Sequence, residues 1–334
     1  MKTAVVILNW NGRQHLERFL HYVVRRSAEA DIVVADNGST DGSAEWVADA
    51  FPTVRIVHLD RNYGFAEGYN RALAQLEGYD LFVLLNSDVE PTEGWLAPLV
   101  AVFEDERVGF VGPKILSFEQ REHFEYAGAA GGYIDYLGYP FCRGRILGTT
   151  ERDEGQYDDS RDVMWVSGAA LCCRAEVFRQ LGGFSAEFFA HMEEIDLCWR
   201  AQLAGHRVVV EPSSVVYHLG GGTLATGSPR KTMLNHRNNL AMLFRCASPL
   251  QRAVVAIVRP PLDILAALGH LAKGNIDHFK AVIRAYIDFA KWHGRLATER
   301  RTIRQNVQHE ARGIYRGSIV VRYIFASRKF GKLI

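Results

Sequence analysis

The stretch Leu84-Leu85-Asn86-Ser87-Asp88-Val89-Glu90-Pro91 decides how this chain is read. It continues Tyr79-Asp80-Leu81-Phe82-Val83, so an apolar run ends abruptly in a short polar tip and then a proline. A short apolar run with so sharp an end reads as a buried strand of a parallel sheet. In open α/β sheets, ligands gather beyond the carboxyl ends of the strands. Asp88 is therefore expected at that edge, its carboxylate toward a cleft. One carboxylate on a rigid strand end, beside other polar oxygens, suits a hard divalent cation that also carries substrate phosphates. The competing expectation is a helix cap, with Ser87 or Asp88 ahead of Pro91.

Upstream, the same pattern repeats. Strands are expected at 4–9, 31–36, 54–59 and 79–85, and helices near 13–24, after Ser43, and over 67–76. Strands alternating with helices of this length mean βαβ units and a largely parallel sheet. Polar residues fall at three strand ends: Asn9 and Asn11, Asp36, and Asn86 with Asp88. Asp36 can accept from a nucleobase N–H or a ribose hydroxyl, the reading its place over the sheet edge favours over a plain tight turn at Asp36-Asn37-Gly38. In Asn62-Tyr63-Gly64-Phe65-Ala66-Glu67-Gly68, glycines at a helix start allow close backbone approach, and free N–H groups there favour an anion or a nucleotide. Neither a GxGxxG fingerprint nor a GxxxxGK[ST] loop occurs, which disfavours nicotinamide enzymes and P-loop NTPases.

Composition sets wider bounds. At 334 residues and 48% hydrophobic content, the chain can bury one large core, or a core plus a helical appendage. Its five cysteines form no metal-ligand spacing, and their odd number argues against a disulfide framework, so a cytoplasmic setting is expected. Met1-Lys2-Thr3 leads straight into a strand, so no leader is expected. The net charge of +1 conceals an asymmetry. From Asn235 onward there are 18 Lys and Arg against 5 Asp and Glu, whereas the preceding residues hold 21 against 33. A basic unit follows an acidic one.

Four blocks now carry a resemblance: Val6-Ile7-Leu8-Asn9-Trp10-Asn11-Gly12, Asp36-Asn37-Gly38-Ser39-Thr40-Asp41-Gly42-Ser43, Asn62-Tyr63-Gly64-Phe65-Ala66 and Leu85-Asn86-Ser87-Asp88-Val89. In this order they resemble glycosyltransferase family 2, over roughly residues 4–245. The resemblance implies a GT-A fold, Rossmann-like with a mostly parallel central sheet flanked by helices. It also implies inverting transfer from a nucleotide-diphosphate sugar with Mg2+ or Mn2+. The family's DXD motif stands here as Asn86-Ser87-Asp88, which leaves Asp88 as the implied metal ligand. Leu8, Asn9, Asn11, Asp36, Asn62, Gly64, Asn86 and Ser87 are then the expected donor-binding residues.

Downstream, 94–103 reads as a helix and 108–114 as a strand, while 117–161 is irregular and rich in Gly, Tyr and acids. A loop that long is expected to be a lid over the site. A strand-like segment at 163–171 follows, then Phe188-Phe189-Ala190-His191-Met192-Glu193-Glu194-Ile195-Asp196-Leu197-Cys198-Trp199-Arg200. Acids before an apolar helix are favoured by the helix dipole alone. The block also resembles the family's Glu-Asp-x-Asp-x-x-x-Arg pattern, which puts Glu194 at the position of the catalytic base and keeps Glu193 as the other candidate. A carboxylate there takes the proton from an attacking hydroxyl. Asp196 and Arg200, one helical turn apart, are expected to be a structural pair. Trp165, Ser167, Gly168 and His191 are the expected acceptor-side residues.

Strands are expected again at 208–210 and 215–218, ending in His218. A lone histidine after a strand is commonly structural; the resemblance implies a second metal ligand. Leu219-Gly220-Gly221-Gly222-Thr223 is expected to form a mobile loop near the diphosphate, and Arg237 to face a phosphate from a helix start. Past Leu250, Arg259-Pro260-Pro261 is expected to stop any spanning helix, and no apolar run of spanning length is seen. Ile276, Phe279, Val282, Ile283, Tyr286, Ile287 and Ala290 recur at helical spacing with Lys280, Arg284 and Lys291 between them. That basic amphipathic helix fits a peripheral membrane contact at the inner face of the cell membrane, packing on the catalytic domain, or a homodimer contact.

The expected division is a catalytic domain over 1–245, with a donor half over 1–115 and an acceptor half over 116–245, followed by a basic helical region over 246–334. The QxxRW motif of processive relatives is missing, so the resemblance implies single-sugar addition. The expected partners are a nucleotide-diphosphate sugar and a glycan or lipid-linked acceptor of cell-surface polysaccharide synthesis, as in rhamnosyltransferase-like members, and no nucleic acid. A nucleotidylyltransferase is the alternative enzyme, although Asn9-Trp10-Asn11-Gly12 lacks its Gly-rich basic loop. A non-catalytic scaffold would be expected to have lost the acids.

Overall fold

A computed structural model describes residues 1–220 and 227–332. The first half alternates β1 (Thr3–Asn9), α1 (Arg13–Arg26), β2 (Asp31–Asp36), α2 (Ser43–Ala50), β3 (Arg55–His58), α3 (Gly64–Leu73) and β4 (Leu81–Leu85). Next come β5 (Val89–Pro91), α4 (Leu96–Val102) and the long β6 (Val108–Ser117). Short strands β7 (Gly132–Asp135), β8 (Pro140–Cys142), β9 (Arg145–Ile146), β10 (Thr149–Thr150) and β11 (Arg161–Asp162) lead to β12 (Ala170–Arg174). Helices α5 (Ala175–Gln180) and α6 (Glu193–Leu203) precede β13 (Arg207–His218). The remainder is α7 (Pro229–Cys246), α8 (Pro249–Ala272), α9 (Ile276–Gln305), β14 (Ile314–Tyr315) and α10 (Ile319–Phe325).

The main sheet runs β11-β13-β6-β12-β4-β1-β2-β3, with β5 paired to β13. Its β3-β2-β1-β4 half is parallel, as expected from buried runs without alternation. The strands β1 and β4 are buried almost throughout, and α1 lays Leu16, Phe19, Leu20 and Val23 against one side. The reversal comes at β12, antiparallel to both β4 and β6. Parallel pairing then resumes between β6 and β13.

Several expectations are corrected. The strand expected at 163–171 lies further on, at β12; residues 163–169 approach it as a loop whose Trp165 bridges to Gly132. The two strands expected at 208–210 and 215–218 are one, β13, with an irregular register between Glu211 and Val215. The segment 117–161 is no open excursion. It contains a sheet in the order β10-β9-β8-β7-β14, whose last strand comes from the C-terminal region.

The largest correction concerns α8. Pro260 and Pro261 lie inside this 24-residue helix without ending it. A proline removes one N–H and leaves the carbonyl four residues earlier without its helical partner. Those carbonyls belong to Ala256 and Ile257, both on the exposed side, where water can satisfy them. By length and composition this helix is apolar enough to cross a membrane, contrary to the expectation from sequence.

Candidate active site

The site is built at the carboxyl edge of β1, β2 and β4. At the end of β1, the buried Asn9 amide donates to Ser43 Oγ at 2.8 Å and Ser39 Oγ at 3.2 Å, while its Oδ1 has no partner. Asn11 turns the chain in a left-handed conformation (φ 49°), and its Oδ1 accepts from Thr40 N at 2.7 Å. Asp36 ends β2, nearly buried, with Oδ1 accepting from Ser39 N at 3.2 Å. Asn9, Asn11 and Asp36 thus surround one loop. Leu8 lies beneath it, half-buried against Gly68, where an added Cβ would come within 2.9 Å of Leu8 Cδ2.

Asn37 was not singled out from the sequence, yet it ties this loop to the next block. Its amide nitrogen reaches Gly64 O at 3.0 Å and Asn62 Oδ1 at 3.3 Å, and its Oδ1 accepts from Tyr63 N at 3.0 Å. The start of α3 is not free for an anion: Phe65 N and Ala66 N both donate to Phe189 O, at 2.7 and 3.2 Å. Gly64, at φ 76°, is required because a Cβ there would lie 2.5 Å from the Phe189 ring. Gly64 and Gly68 therefore serve close packing, which leaves Asn62, whose Oδ1 accepts from Gly64 N at 2.8 Å, as this block's remaining donor-side candidate.

The tip after β4 holds the most polarised group. β5 pairs antiparallel with β13 in a register that sets His218 opposite Val89, so His218 lands beside Asp88. Its Nε2 lies 3.2 Å from Asp88 Oδ1 and 3.3 Å from the Asn86 amide, and Asp88 Oδ2 accepts from Gly220 N at 3.1 Å. Behind the ring, Glu125 Oε2 is 3.3 Å from His218 Nδ1, near enough for charge pairing but not aligned as a hydrogen bond. Burial alone would push the imidazole down, but Asp88, by charge and hydrogen bonding, and the charge of the nearby Glu125 outweigh it and raise the pKa to about 10. Burial likewise opposes ionisation of Asp88, yet His218 holds its carboxyl below the usual range. Glu125 is a further member of the site; as one acid in an irregular segment, it had no local signal. Ser87, half-buried, stands next to Gly12, the residue opening α1.

Facing this edge is the start of α6. Phe189, His191 and Met192 all have positive φ (65°, 73° and 71°), a strained run that delivers Glu193 and Glu194 as the first helical residues. The run is held by Asn238, fully buried on α7, whose amide donates to Phe188 O, Ala190 O and His191 O at 3.0, 3.0 and 2.8 Å. Glu193 is buried and Glu194 partly exposed; each has one carboxylate oxygen, Oε2, without any partner. Burial pushes Glu194 up to about 7, and burial together with the neighbouring Glu194 pushes Glu193 well above its ordinary range. His191 Nε2 is also unpartnered, and burial followed by the charge of Lys231 lowers that imidazole to about 4.

Two contacts join the halves. Asn86 N donates to Ala169 O at 3.0 Å, and next to it Gly168 sits against Phe65 and Glu194, whose Cβ is 3.9 Å from a Cβ placed there. Ser167 is buried in the same turn, its Oγ accepting from Ala169 N at 3.2 Å. Trp165 is not in the cleft: it is buried, and its indole N–H donates to Tyr133 O at 3.0 Å. Arg237 is not phosphate-facing either. It donates to Glu187 O and Phe188 O and lies over the Trp292 ring, bracing the strained run. Asp196 and Arg200 do form the expected pair at 2.8 Å, and Arg245 joins them as a second buried partner of Asp196. Of the glycine loop, residues 221–223 lie outside the described residues.

Whether a cation fits can be judged from the donors. Among the described residues, no group of three or more His, Cys, Asp and Glu forms a self-sufficient cage. Asp88 Oδ1 and His218 Nε2 lie 3.2 Å apart, with Glu125 behind the ring. Such a two-ligand set suits an ion that takes its remaining oxygens from substrate phosphate and water. The residues fit a hard divalent cation.

Comparisons with known proteins bear on the family and the fold. The family model for glycosyl transferase family 2 matches residues 4–152. The chain is similar to the N-acetylglucosaminyl-diphospho-decaprenol L-rhamnosyltransferase of Mycobacterium tuberculosis, with 32% identity over 64% of this chain and 75% of that protein. Among solved structures it superposes on S. aureus TarS 1-349 in complex with UDP-GlcNAc (TM-score 0.59, 16% identity, 92% of this chain and 88% of that one). It also superposes on GalNAc-T7 with UDP, GalNAc and Mn2+ (TM-score 0.62, 17% identity), covering 78% of this chain but only 50% of the other. The architecture is that of the GT-A fold, a mixed sheet flanked by helices and followed by a helical C-terminal region.

Proposed function

The chain belongs to glycosyltransferase family 2, and on that premise we propose that it moves one sugar from a nucleotide-diphosphate donor to a hydroxyl of a glycan or lipid-linked acceptor. Cell-surface polysaccharide synthesis on the cytoplasmic side is the setting we favour. The relative of M. tuberculosis, named for rhamnosyl transfer to a lipid diphosphate acceptor, supports that acceptor class. One observation carries the reading: the buried Asp88–His218 pair lies just past the end of β4, where Asn86 N–H donates to Ala169 O, and the adjacent Gly168 sits against Glu194, which has a carboxylate oxygen without a partner.

Asn9, Asn11 and Asp36 line the nucleoside side, with Asn62, Asn86 and Ser87 toward the diphosphate. Asp88 would hold Mg2+ or Mn2+, joined by His218 once the ion has displaced the proton of its Nε2, and the ion would supply charge neutralisation for the departing nucleoside diphosphate. Glu194 takes the proton of the acceptor hydroxyl as that oxygen attacks the anomeric carbon. The carbon–oxygen bond to the diphosphate breaks on the opposite side, its electron pair leaving with the phosphate, and the configuration inverts. A base held near pH 7 balances readiness to accept a proton against the fraction already ionised. Glu193, whose carboxyl burial and the neighbouring Glu194 push well above its ordinary range, is more deeply buried and less well placed to reach an acceptor. Gly168 and His191 sit beside the base, where the acceptor would enter.

The test is release of nucleoside diphosphate from UDP-, dTDP- and GDP-sugars with added Mn2+, comparing the wild type with Glu194→Gln. Slow release from one donor class, with transfer to an added acceptor lost in Glu194→Gln, supports the reading. Release from none of the donors would contradict it.

A further inference from the structure

Surface helices normally turn their apolar stripe inward; α8 is inverted. The positions it buries are Gln251, Val255, Arg259, Asp263 and Ala267, four residues apart along one stripe, and three of the five are polar. Each polar member is bonded to the body. Gln251 donates to Tyr136 O at 3.0 Å, and Arg259 donates to Leu137 O at 2.7 Å and Asn239 Oδ1 at 2.8 Å. Arg259 also pairs with Asp263 at 3.3 Å, and Asp263 accepts from Tyr286 OH at 2.7 Å. The opposite face is apolar and open: Leu250, Ile257, Ile264, Leu265, Leu268 and Leu271 are all exposed, Ile257 by 74% and Leu265 by 65%. The spacing of seven from Leu250 through Ile257 and Ile264 to Leu271 keeps these side chains on one side of the helix.

Next to α8, α9 adds the charge. Its exposed Ile276, Ile283 and Ile287 share one helical face with Lys280, Arg284 and Lys291, three cations that two acids of the same helix, Asp277 and Asp288, pair with but do not fully offset. The hairpin formed by the two helices therefore offers an apolar face with a basic border.

We propose that the outward face of α8, bordered by the basic residues of α9, docks the protein on an anionic lipid surface with the helix lying in the interface. Complementarity decides the occupant: an apolar stripe flanked by Lys and Arg matches acyl chains beneath acidic headgroups. A crossing orientation, which the length and composition of α8 would allow, is opposed by its inward stripe. Leaving the body would strip Gln251, Arg259 and Asp263 of their partners and put an ion pair in hydrocarbon. Docking is independent of which sugar is moved, but it would bring the site to a lipid-linked acceptor.

The experiment is vesicle flotation of the full chain on phosphatidylcholine, with and without phosphatidylglycerol, alongside two exposed-site double variants. The wild type is expected to float, preferentially with phosphatidylglycerol. Ile257→Glu with Leu265→Glu should lower partitioning roughly a hundredfold, about tenfold per buried aliphatic side chain, with thermal midpoint and donor binding retained. Lys280→Glu with Arg284→Glu should weaken binding roughly fivefold per residue, and only on the anionic vesicles. Alkaline carbonate should release the bound wild type. Failure of the wild type to float, undiminished flotation of the Ile257/Leu265 variant, or resistance to carbonate would overturn the proposal. So would a concentration-dependent dimer in sedimentation that the same variant dissociates without any vesicle binding, since a second copy would then cover the face. Flotation reads no turnover, so its failure leaves the transfer reading untouched.

Discussion

His218 Nε2 lies 3.2 Å from Asp88 Oδ1 because β5 and β13 pair in a register that sets His218 opposite Val89. Two residues 130 positions apart are thus fixed by backbone pairing rather than by a flexible loop. Glu125, 3.3 Å behind the ring, completes the line. A residue behind a metal-ligating histidine orients the ring and tunes its basicity. Glu125→Gln should weaken Mn2+ binding by roughly ten- to a hundredfold while leaving the fold intact. Titration of the purified protein with Mn2+, read by paramagnetic relaxation of water, would measure this; unchanged affinity would remove Glu125 from the site.

Glu194 leads to a prediction of opposite sign for stability and activity. Its folded pKa of about 7 lies above the ordinary value of 4.5, so between those two pH values the native state binds more protons than the unfolded chain. Stability therefore falls as pH rises through that window, and the loss is complete above pH 7. Glu194→Gln removes this penalty: its thermal midpoint relative to wild type should be higher at pH 8 than at pH 4.5. Turnover should fall by about a hundredfold or more, the range for loss of a positioned base. In the wild type, the rate should rise with pH through about 7. A variant with full activity would exclude Glu194 as the base.

The strained run before α6 depends on one amide. Asn238→Ala would leave the carbonyls of Ala190 and His191 without its amide, while Phe188 O keeps Arg237 and Ala190 N. A cost of roughly 3 kcal/mol is expected from unsatisfied buried groups. Urea denaturation should show it as a lower midpoint with an unchanged slope. Turnover should drop as well, since the left-handed residues set the direction of Glu194. A loss of less than about 0.5 kcal/mol would mean that the run holds itself, well short of the usual cost of an unmade buried bond.

Asp196 sits between two guanidinium groups, of Arg200 and Arg245, in a fully buried position. Asp196→Ala leaves Arg200 without a carboxylate and Arg245 with Glu299 alone, and should cost about 3–5 kcal/mol. Pairing with the second carrier should be visible in a double-mutant cycle: Arg245→Met in the Asp196→Ala background should recover part of the loss. Simple additivity of the two substitutions would argue that the groups do not interact.

The parts legible in the sequence are those whose cause is local. Asp36 and Asp88 could be placed because a buried parallel strand writes itself as an unbroken apolar run and its end as the first polar residues. The Asp196–Arg200 pair follows from helical spacing alone. The hidden parts depend on distant pairing. Ile314 completes a sheet by pairing with Ile134, and nothing local in 117–161 signals that partner. Trp165 and Arg237 have residue types that suit a site equally well as a core or a brace, and only their partners, Tyr133 O and Phe188 O, separate the two. In α8 the prolines misled because their cost depends on whether the freed carbonyls face water. Those of Ala256 and Ile257 do.

The central claim is a donor site organised by Asp88 and His218, and nucleotide-dependent thermal stabilisation tests it most directly. The wild type and Asp88→Asn would be melted with UDP, dTDP and GDP, with and without Mn2+. A ligand at about a hundred times its dissociation constant stabilises by roughly 2.7 kcal/mol, well within detection. The account predicts a Mn2+-dependent upward shift with one nucleotide class in the wild type, absent in Asp88→Asn. No shift with any nucleotide, or a shift that survives Asp88→Asn undiminished, would contradict it.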